Sequence, residues 1–387
     1  MDVILSIILI AVAANFIINY VSQHYKIDSV RYLWILFGVH FVMTLAYIVT
    51  AAMSASDSVA YYNTAKETME WFNLFETGTK FISFIAYISV GILGLSYYSA
   101  MLIFSFFGFL AVLLFYITTR ENVQLKKSLF GFSFVELVFL LPNLHYWTSS
   151  LGKGSTILFG LGLFAFGLSR FNKRIFPLIL GSFFIYMVRP HIFFAMVTSI
   201  MLGVLITTSG IKWYLRWLIF ALAGVMFLSL GDVVVEFAEV ESMNIMGSDV
   251  LAHRVSELGK ADTGVDLQNY NFFMKMFTFW FRPLFFDGLS LVGLFASFEN
   301  AIYLYMFFMF FREGLLNFRF FNGWFRICLI FFLLGSIILA QVSGNLGIAM
   351  RQKAQMMPFF FIIFCKAMTY SNAYAPRMTA LFRPQRV

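Results

Sequence analysis

Charge is scarce in this chain. Only 27 basic and 19 acidic residues occur among 387, so charged side chains make up 12%, against roughly 25% in an ordinary soluble domain. Cysteine is rarer still. Cys328 and Cys365 each sit inside an apolar run and form no Cys-x-x-Cys pair. A disulfide scaffold is excluded, no zinc or redox motif is offered, and both cysteines read as packing residues. There are 7 prolines and no long hydrophilic stretch, low-complexity tract or internal repeat, which excludes a disordered chain and a repeat array. A Gly-rich phosphate loop, His-Glu-x-x-His and Gly-x-Ser-x-Gly are also missing, so the common nucleotide, metalloprotease and hydrolase signatures are absent.

What is present is apolar. Hydrophobic residues make up 61% and aromatics 20%, with 52 phenylalanines, and the mean hydropathy is +0.83. A soluble fold of this length cannot hide that much apolar surface in one core. The expected fold is all-α: a polytopic transmembrane helical bundle forming a single integral membrane domain over 1–387. A bilayer core of about 30 Å takes about 20 apolar residues per crossing. Runs near that length fall at 3–21, 31–51, 80–97, 99–118, 128–146, 155–169, 175–189, 191–208, 213–232, 289–311, 325–342 and 357–371. They predict about 11–12 spans, some short enough to be re-entrant or tilted. Met1–Val21 lacks a basic flank and a small-residue cleavage site and reads as a first retained helix.

The net charge of +8 reads as the positive-inside bias of cytoplasmic loops, not as a nucleic-acid surface. Arg120, Lys126 and Lys127 form one basic cluster; Arg170, Lys173 and Arg174 a second; Lys212 and Arg216 a third. Arg312, Arg319 and Arg326 follow, then Lys366, Arg377, Arg383 and Arg386. Alternation of spans puts all five on one face. The opposite face receives the 142–154 turn, Arg189-Pro190-His191, the long 233–288 segment and the 343–356 loop. The acidic 52–79 loop stays open: strict counting puts it with the basic clusters, and a non-crossing helix between Lys80 and Thr118 would put it outside. Interfacial helices are expected in 52–79 and 233–288.

Five constellations on these loops carry chemistry. Pro142 to Gly154 is a helix-breaking, aromatic-rich turn that presents His145 and Lys153 to a polar substrate, or else lets Lys153 reach lipid headgroups. Arg189-Pro190-His191 places a guanidinium where it is costly without a cavity or partner. It either grips two oxygens of a phosphate or pairs with Glu136. Gly344 to Lys353 brings Arg351 and Lys353 to a glycine-punctuated helix entrance. Phe279 to Asp287 offers Arg282 either to the same substrate or to Asp287. Asp57, near Tyr61 and Tyr62, is either a general base for an acceptor hydroxyl or a helix cap.

The Pro142-to-Lys153 run, the Arg-Pro-His turn, the Phe281-Arg282-Pro283 segment followed by Phe298-Glu299-Asn300, and the Asn345-to-Arg351 loop occur in that order. They resemble the Wzy/EpsG-like polymerases of bacterial surface-polysaccharide loci and neighbouring GT-C glycosyltransferases, over most of 50–365. The resemblance implies transfer from polyprenyl-linked sugars on the outer face of the bacterial cytoplasmic membrane, without a nucleotide sugar. It assigns Arg189 and Arg351 to the diphosphate, with Arg282 and Lys153 behind them. It assigns Asp57 to the base that GT-C enzymes carry in the first outer loop, although the second acid usual there is replaced by Ser58.

The expected activity is inverting glycosyl transfer building an exopolysaccharide, capsule or O-antigen. Asp57 or His191 takes the proton, Arg189, Arg282, Arg351 and Lys353 face the substrate, and Lys153 and His145 orient it. No metal or cofactor is expected. The expected partners are a polyprenyl (di)phosphate-linked saccharide, membrane lipid and other polysaccharide assembly proteins, with no nucleic acid. The rival readings are single-sugar transfer from a polyprenyl monophosphate, a transporter or flippase of an anionic lipid, and a non-catalytic assembly subunit.

Overall fold

The computed structural model describes residues 1–387 except 26, 28, 54–55, 126–127, 130, 208–211, 215, 219, 223, 226–269, 288–290, 315–320, 344–345 and 382–387. Lys126, Lys127, Arg319, Gly344, Asn345, Arg383, Arg386 and most of the 233–288 segment lie outside the described residues. The regular structure that is described is helical apart from one hairpin, β1 (Ser128–Leu129) and β2 (Phe132–Ser133). The helices are α1 (Asp2–His24), α2 (Val30–Met53), α3 (Asp57–Glu67), α4 (Thr79–Tyr87, continued by a π-helical turn at Ile88–Ile92), α5 (Tyr97–Asn122), α6 (Phe134–Phe139) and α7 (Pro142–Tyr146). After them come α8 (Lys153–Ser169), α9 (Ile175–Val188), α10 (Pro190–Thr207), α11 (Phe272–Phe281), α12 (Leu291–Met309), α13 (Gly323–Val342) and α14 (Leu346–Leu381).

Among the described residues, six helices are long and apolar enough to cross a membrane: α1, α2, α5, α10, α13 and the 293–312 stretch that includes most of α12. Shorter apolar helices cover 79–92, 153–169, 175–188 and 272–281. Of the six, α5 is the most enclosed, with 72% of its apolar window buried against 17% in α1 and 22% in α2. So α5 is the core, while α1 and α2 form the rim and leave Ile4, Leu9, Phe16 and Val42 exposed. Inside lipid, burying apolar side chains supplies no driving force between helices, and close packing has to serve instead. Gly160 on α8 faces Gly181 on α9: a Cβ at Gly181 would stand 2.6 Å from the Gly160 carbonyl oxygen. The backbones touch there.

The helices share two ends. At one, Asp2 at the head of α1 accepts hydrogen bonds from Ser96 N at 2.8 Å and Ser99 Oγ at 3.0 Å at the head of α5. At the other, Glu121 near the tail of α5 pairs with Arg170 at 3.1 Å and Arg174 at 2.8 Å. Arg326 donates to the Ile206 carbonyl at the tail of α10, and Lys366 lies over the Phe325 ring. Basic residues from three of the five clusters thus gather toward one end.

Two expected spans look different in the structure. The run 80–97 begins and ends at the Asp2 end: Gly78 N donates to Met187 O at 2.7 Å near the tail of α9, and Tyr62 OH donates to Leu95 O at 3.4 Å. The 52–79 loop therefore joins the end that carries the 142–154 turn and Arg189. The run 128–146 is not one helix. Its first turn is closed by a capping box, in which Ser133 N donates to Glu136 Oε2 at 2.6 Å and Glu136 N to Ser133 Oγ at 3.3 Å. It breaks at Leu141, which takes an extended conformation because Pro142 follows and disfavours a helical residue before it.

Candidate functional site

The heads of two helices, one turn and one rim helix meet at the Asp2 end around a shallow, open cleft. α3 contributes Asp57, Ser58 and Tyr61. The turn into α8 contributes Trp147, Ser150 and Lys153, α14 contributes Arg351, and α2 contributes Tyr47. Asp57, Lys153 and Arg351 come from positions almost 300 residues apart in sequence, and the fold makes them neighbours. Arg351 Nη1 donates to Asp57 Oδ2 at 2.9 Å across the cleft, with side chains 30% and 52% exposed. The pair is reachable from outside.

Local geometry leaves Asp57 to that partner. The cap of α3 is Ser56, whose Oγ accepts from Ser58 N at 3.4 Å, so Asp57 is the first helical residue and not the cap. A carboxylate there is favoured by the helix dipole. Ser58 Oγ shares a hydrogen bond of 2.7 Å with Tyr97 OH, which ties α3 to the head of α5. On the facing wall, Lys153 starts α8 behind Gly152, and no side chain caps the helix. Gly154 lets the turn fold tightly: a Cβ there would stand 2.2 Å from the Trp147 carbonyl oxygen. Trp147 and Tyr47 meet edge to face at 6.4 Å.

The other expected site residues lie elsewhere. Arg189 and His191 occupy the α9–α10 junction, 3% and 6% exposed, and are not among the residues lining the cleft. The Arg189 carbonyl accepts from Ile192 N and Phe193 N, which starts α10. Glu136, weighed as a partner for Arg189, spends its carboxylate on capping α6. His145 does not face outward. It is fully buried, with Nδ1 3.0 Å from His40 Nδ1 and Nε2 2.8 Å from the Phe139 carbonyl oxygen.

Arg282 pairs with Asp287 in the way that the local alternative foresaw. Its Nε reaches both carboxylate oxygens at 3.0 Å, and Nη1 donates to Tyr270 OH at 3.1 Å. Hydrogen bonding to Asp287 pushes the guanidinium further above its ordinary range. Lys353 is fully buried and donates to Asn300 Oδ1 and to the Arg282 carbonyl, the latter at 3.3 Å.

Sequence reasoning passed over Tyr47 and His40, and named Glu299 and Asn300 only within a motif, without a role. His40 carried a signal, since a histidine inside an apolar span needs a partner. Among the described residues no group of three His, Cys, Asp or Glu side chains is placed to hold a metal ion. In chemical terms, a carboxylate, two cations, hydroxyls and aromatic rings at one helix end suit a ligand that is anionic at one point and hydroxylated nearby. No family model matches the chain, and neither does any curated protein or solved structure.

Proposed function

We propose that this chain is a multi-pass membrane glycosyltransferase that uses polyprenyl-linked sugars in bacterial surface-polysaccharide assembly. Its cleft would open at the outer face of the cytoplasmic membrane. The observation that carries the reading is the meeting of Asp57, Lys153 and Arg351 in one cleft among aromatic rings. A leaving polyprenyl phosphate or diphosphate gathers negative charge as the bond from sugar C1 to phosphate oxygen breaks. Fixed cations placed beside the breaking bond stabilise that charge. Arg351 and Lys153 take this role. The acceptor hydroxyl oxygen forms the new bond to C1 and gives its proton to Asp57, which lies beside the cations. Arg351 donates to Asp57, so an entering phosphate competes for the guanidinium and frees the carboxylate as base. α3, α4 and the segment that joins them lie in the outer interface in this reading, and that segment exposes Met69, Phe72 and Phe75.

Asp57 in the cleft, with Arg189 outside it, favours a second reading within the same chemistry: addition of a single sugar from a polyprenyl monophosphate. Purified protein in sealed proteoliposomes, given lipid-linked repeat units or a polyprenyl-phosphate sugar with an acceptor, separates these. A ladder of products supports polymerisation, and one added sugar supports the second reading. Movement of intact donor across the bilayer without turnover overturns both in favour of a flippase.

A further inference from the structure

The cleft has two walls, which pack against each other along α14, α7 and α8, and buried polar groups help to fix their spacing. One wall is the turn that leaves α7 and carries Trp147, Ser150 and Lys153. The other is the head of α14, which carries Arg351. Two adjacent residues of α12 reach both. Glu299 Oε2 accepts from the backbone N–H of Asn143, the second residue of α7, at 2.8 Å, while its Oε1 accepts from Tyr303 OH. Asn300 Oδ1 accepts from Lys353 Nζ, two residues beyond Arg351, and Asn300 Nδ2 donates to the Pro283 carbonyl at 2.8 Å. Glu299, Asn300 and Lys353 are 5%, 2% and 0% exposed.

We infer that Glu299 and Asn300 are positioning residues that set the spacing between the Lys153 wall and the Arg351 wall. Polar groups this deep stay only if each is satisfied, and a fully satisfied buried network fixes one arrangement of the elements it joins. Glu299 pins the start of α7, and the chain from there to Lys153 is a tight turn with little slack. Asn300 pins α14 half a turn beyond Arg351. Both pins lie on one helix, so α12 ties the two walls together through buried hydrogen bonds in addition to their direct packing. The part these residues play in chemistry rests on the glycosyl-transfer reading; their grip on the two walls does not.

Spin labels at Pro142→Cys and Ile348→Cys, with Cys328 and Cys365 replaced by alanine, report the gap without any substrate. Glu299→Leu and Asn300→Leu should shift or broaden the label-to-label distance distribution. Glu299→Gln, which keeps one acceptor oxygen for the Asn143 N–H, and Asn300→Asp, which keeps the acceptor for Lys353 and gives up only the donor to the Pro283 carbonyl, should restore most of it. If the leucine variants do not accumulate in the membrane, Glu299→Asp and Asn300→Ser make the same comparison through side chains too short to reach. A wild-type distance in folded variants that lack the reach overturns the inference. In an enzyme active on the lipid-linked donor, those variants should lose about 100-fold in kcat, as small misplacements of reacting groups do, with KM little changed. Absence of any transferase activity in the wild-type chain overturns the function and leaves the distance result standing.

Discussion

At the scale of single residues, the arginines of this chain divide by their partners. Arg351 and Asp57 form a part-exposed pair, and such pairs contribute only about 0–1 kcal/mol to stability. Their worth has to be sought in chemistry. Asp57→Asn and Arg351→Ala should therefore leave membrane abundance near normal while transfer falls by roughly a hundredfold to a thousandfold, the usual effect of removing one preorganised electrostatic contact. Arg351→Lys should recover part of the rate, since an ammonium keeps the charge and loses the two-pronged grip. Abundance on immunoblots read beside product yield checks both. Arg282 should behave in the opposite way. Its partner Asp287 is 8% exposed, so Arg282→Ala leaves a buried carboxylate without its cation, at a cost of about 3–5 kcal/mol. Loss of protein from the membrane is the expected result, with normal activity per surviving molecule.

At the scale of elements, helices were legible and their breaks only partly so. The runs behind α1, α2, α5 and α10 stand out because apolar residues fill a bilayer's width. The 80–97 run has the same composition, and what keeps it at one end is tertiary: Gly78 against Met187 and Tyr62 against Leu95. Hydropathy carries no trace of either contact. The site divides in the same way. Asp57, Lys153 and Arg351 were legible because charge is costly beside apolar spans. The inward turn of His145 and Lys353 was not, since their partners His40 and Asn300 are read only once the helices are assembled, whereas the Arg282–Asp287 pair, five residues apart, was already one of two readings of its segment. Close approach between helices gives a test at this scale. Gly181→Ala puts a Cβ 2.6 Å from both Gly160 O and Phe164 N and should destabilise the α8–α9 pair by about 1–3 kcal/mol, as overpacking does. Gly38→Ala in α2 meets nothing within 4 Å and should be neutral or stabilise the helix by up to about 1 kcal/mol. Unfolding midpoints in detergent compare the two directly.

At the scale of the whole molecule, the chain is polarised end to end. Arg170, Lys173 and Arg174 stand at one end, with Glu121 neutralising part of that charge. The cleft and the acidic 52–79 loop stand at the other. Lys and Arg flanking membrane helices are held on the cytoplasmic side, so the cleft should face outward. Glu70 and Lys173 are exposed at opposite ends, and cysteines placed there in a background lacking Cys328 and Cys365 report the orientation. Glu70→Cys should react with an impermeant thiol reagent in intact cells. Lys173→Cys should react only after permeabilisation. The reverse pattern would put Asp57 and Arg351 in the cytoplasm, where nucleotide sugars compete as donors, and the outward lipid-linked chemistry would fall. Labelling of both in intact cells would break the two-ended reading itself, because Glu121 with Arg174 and Asp2 with Ser99 fix the two ends of α5 a full helix apart.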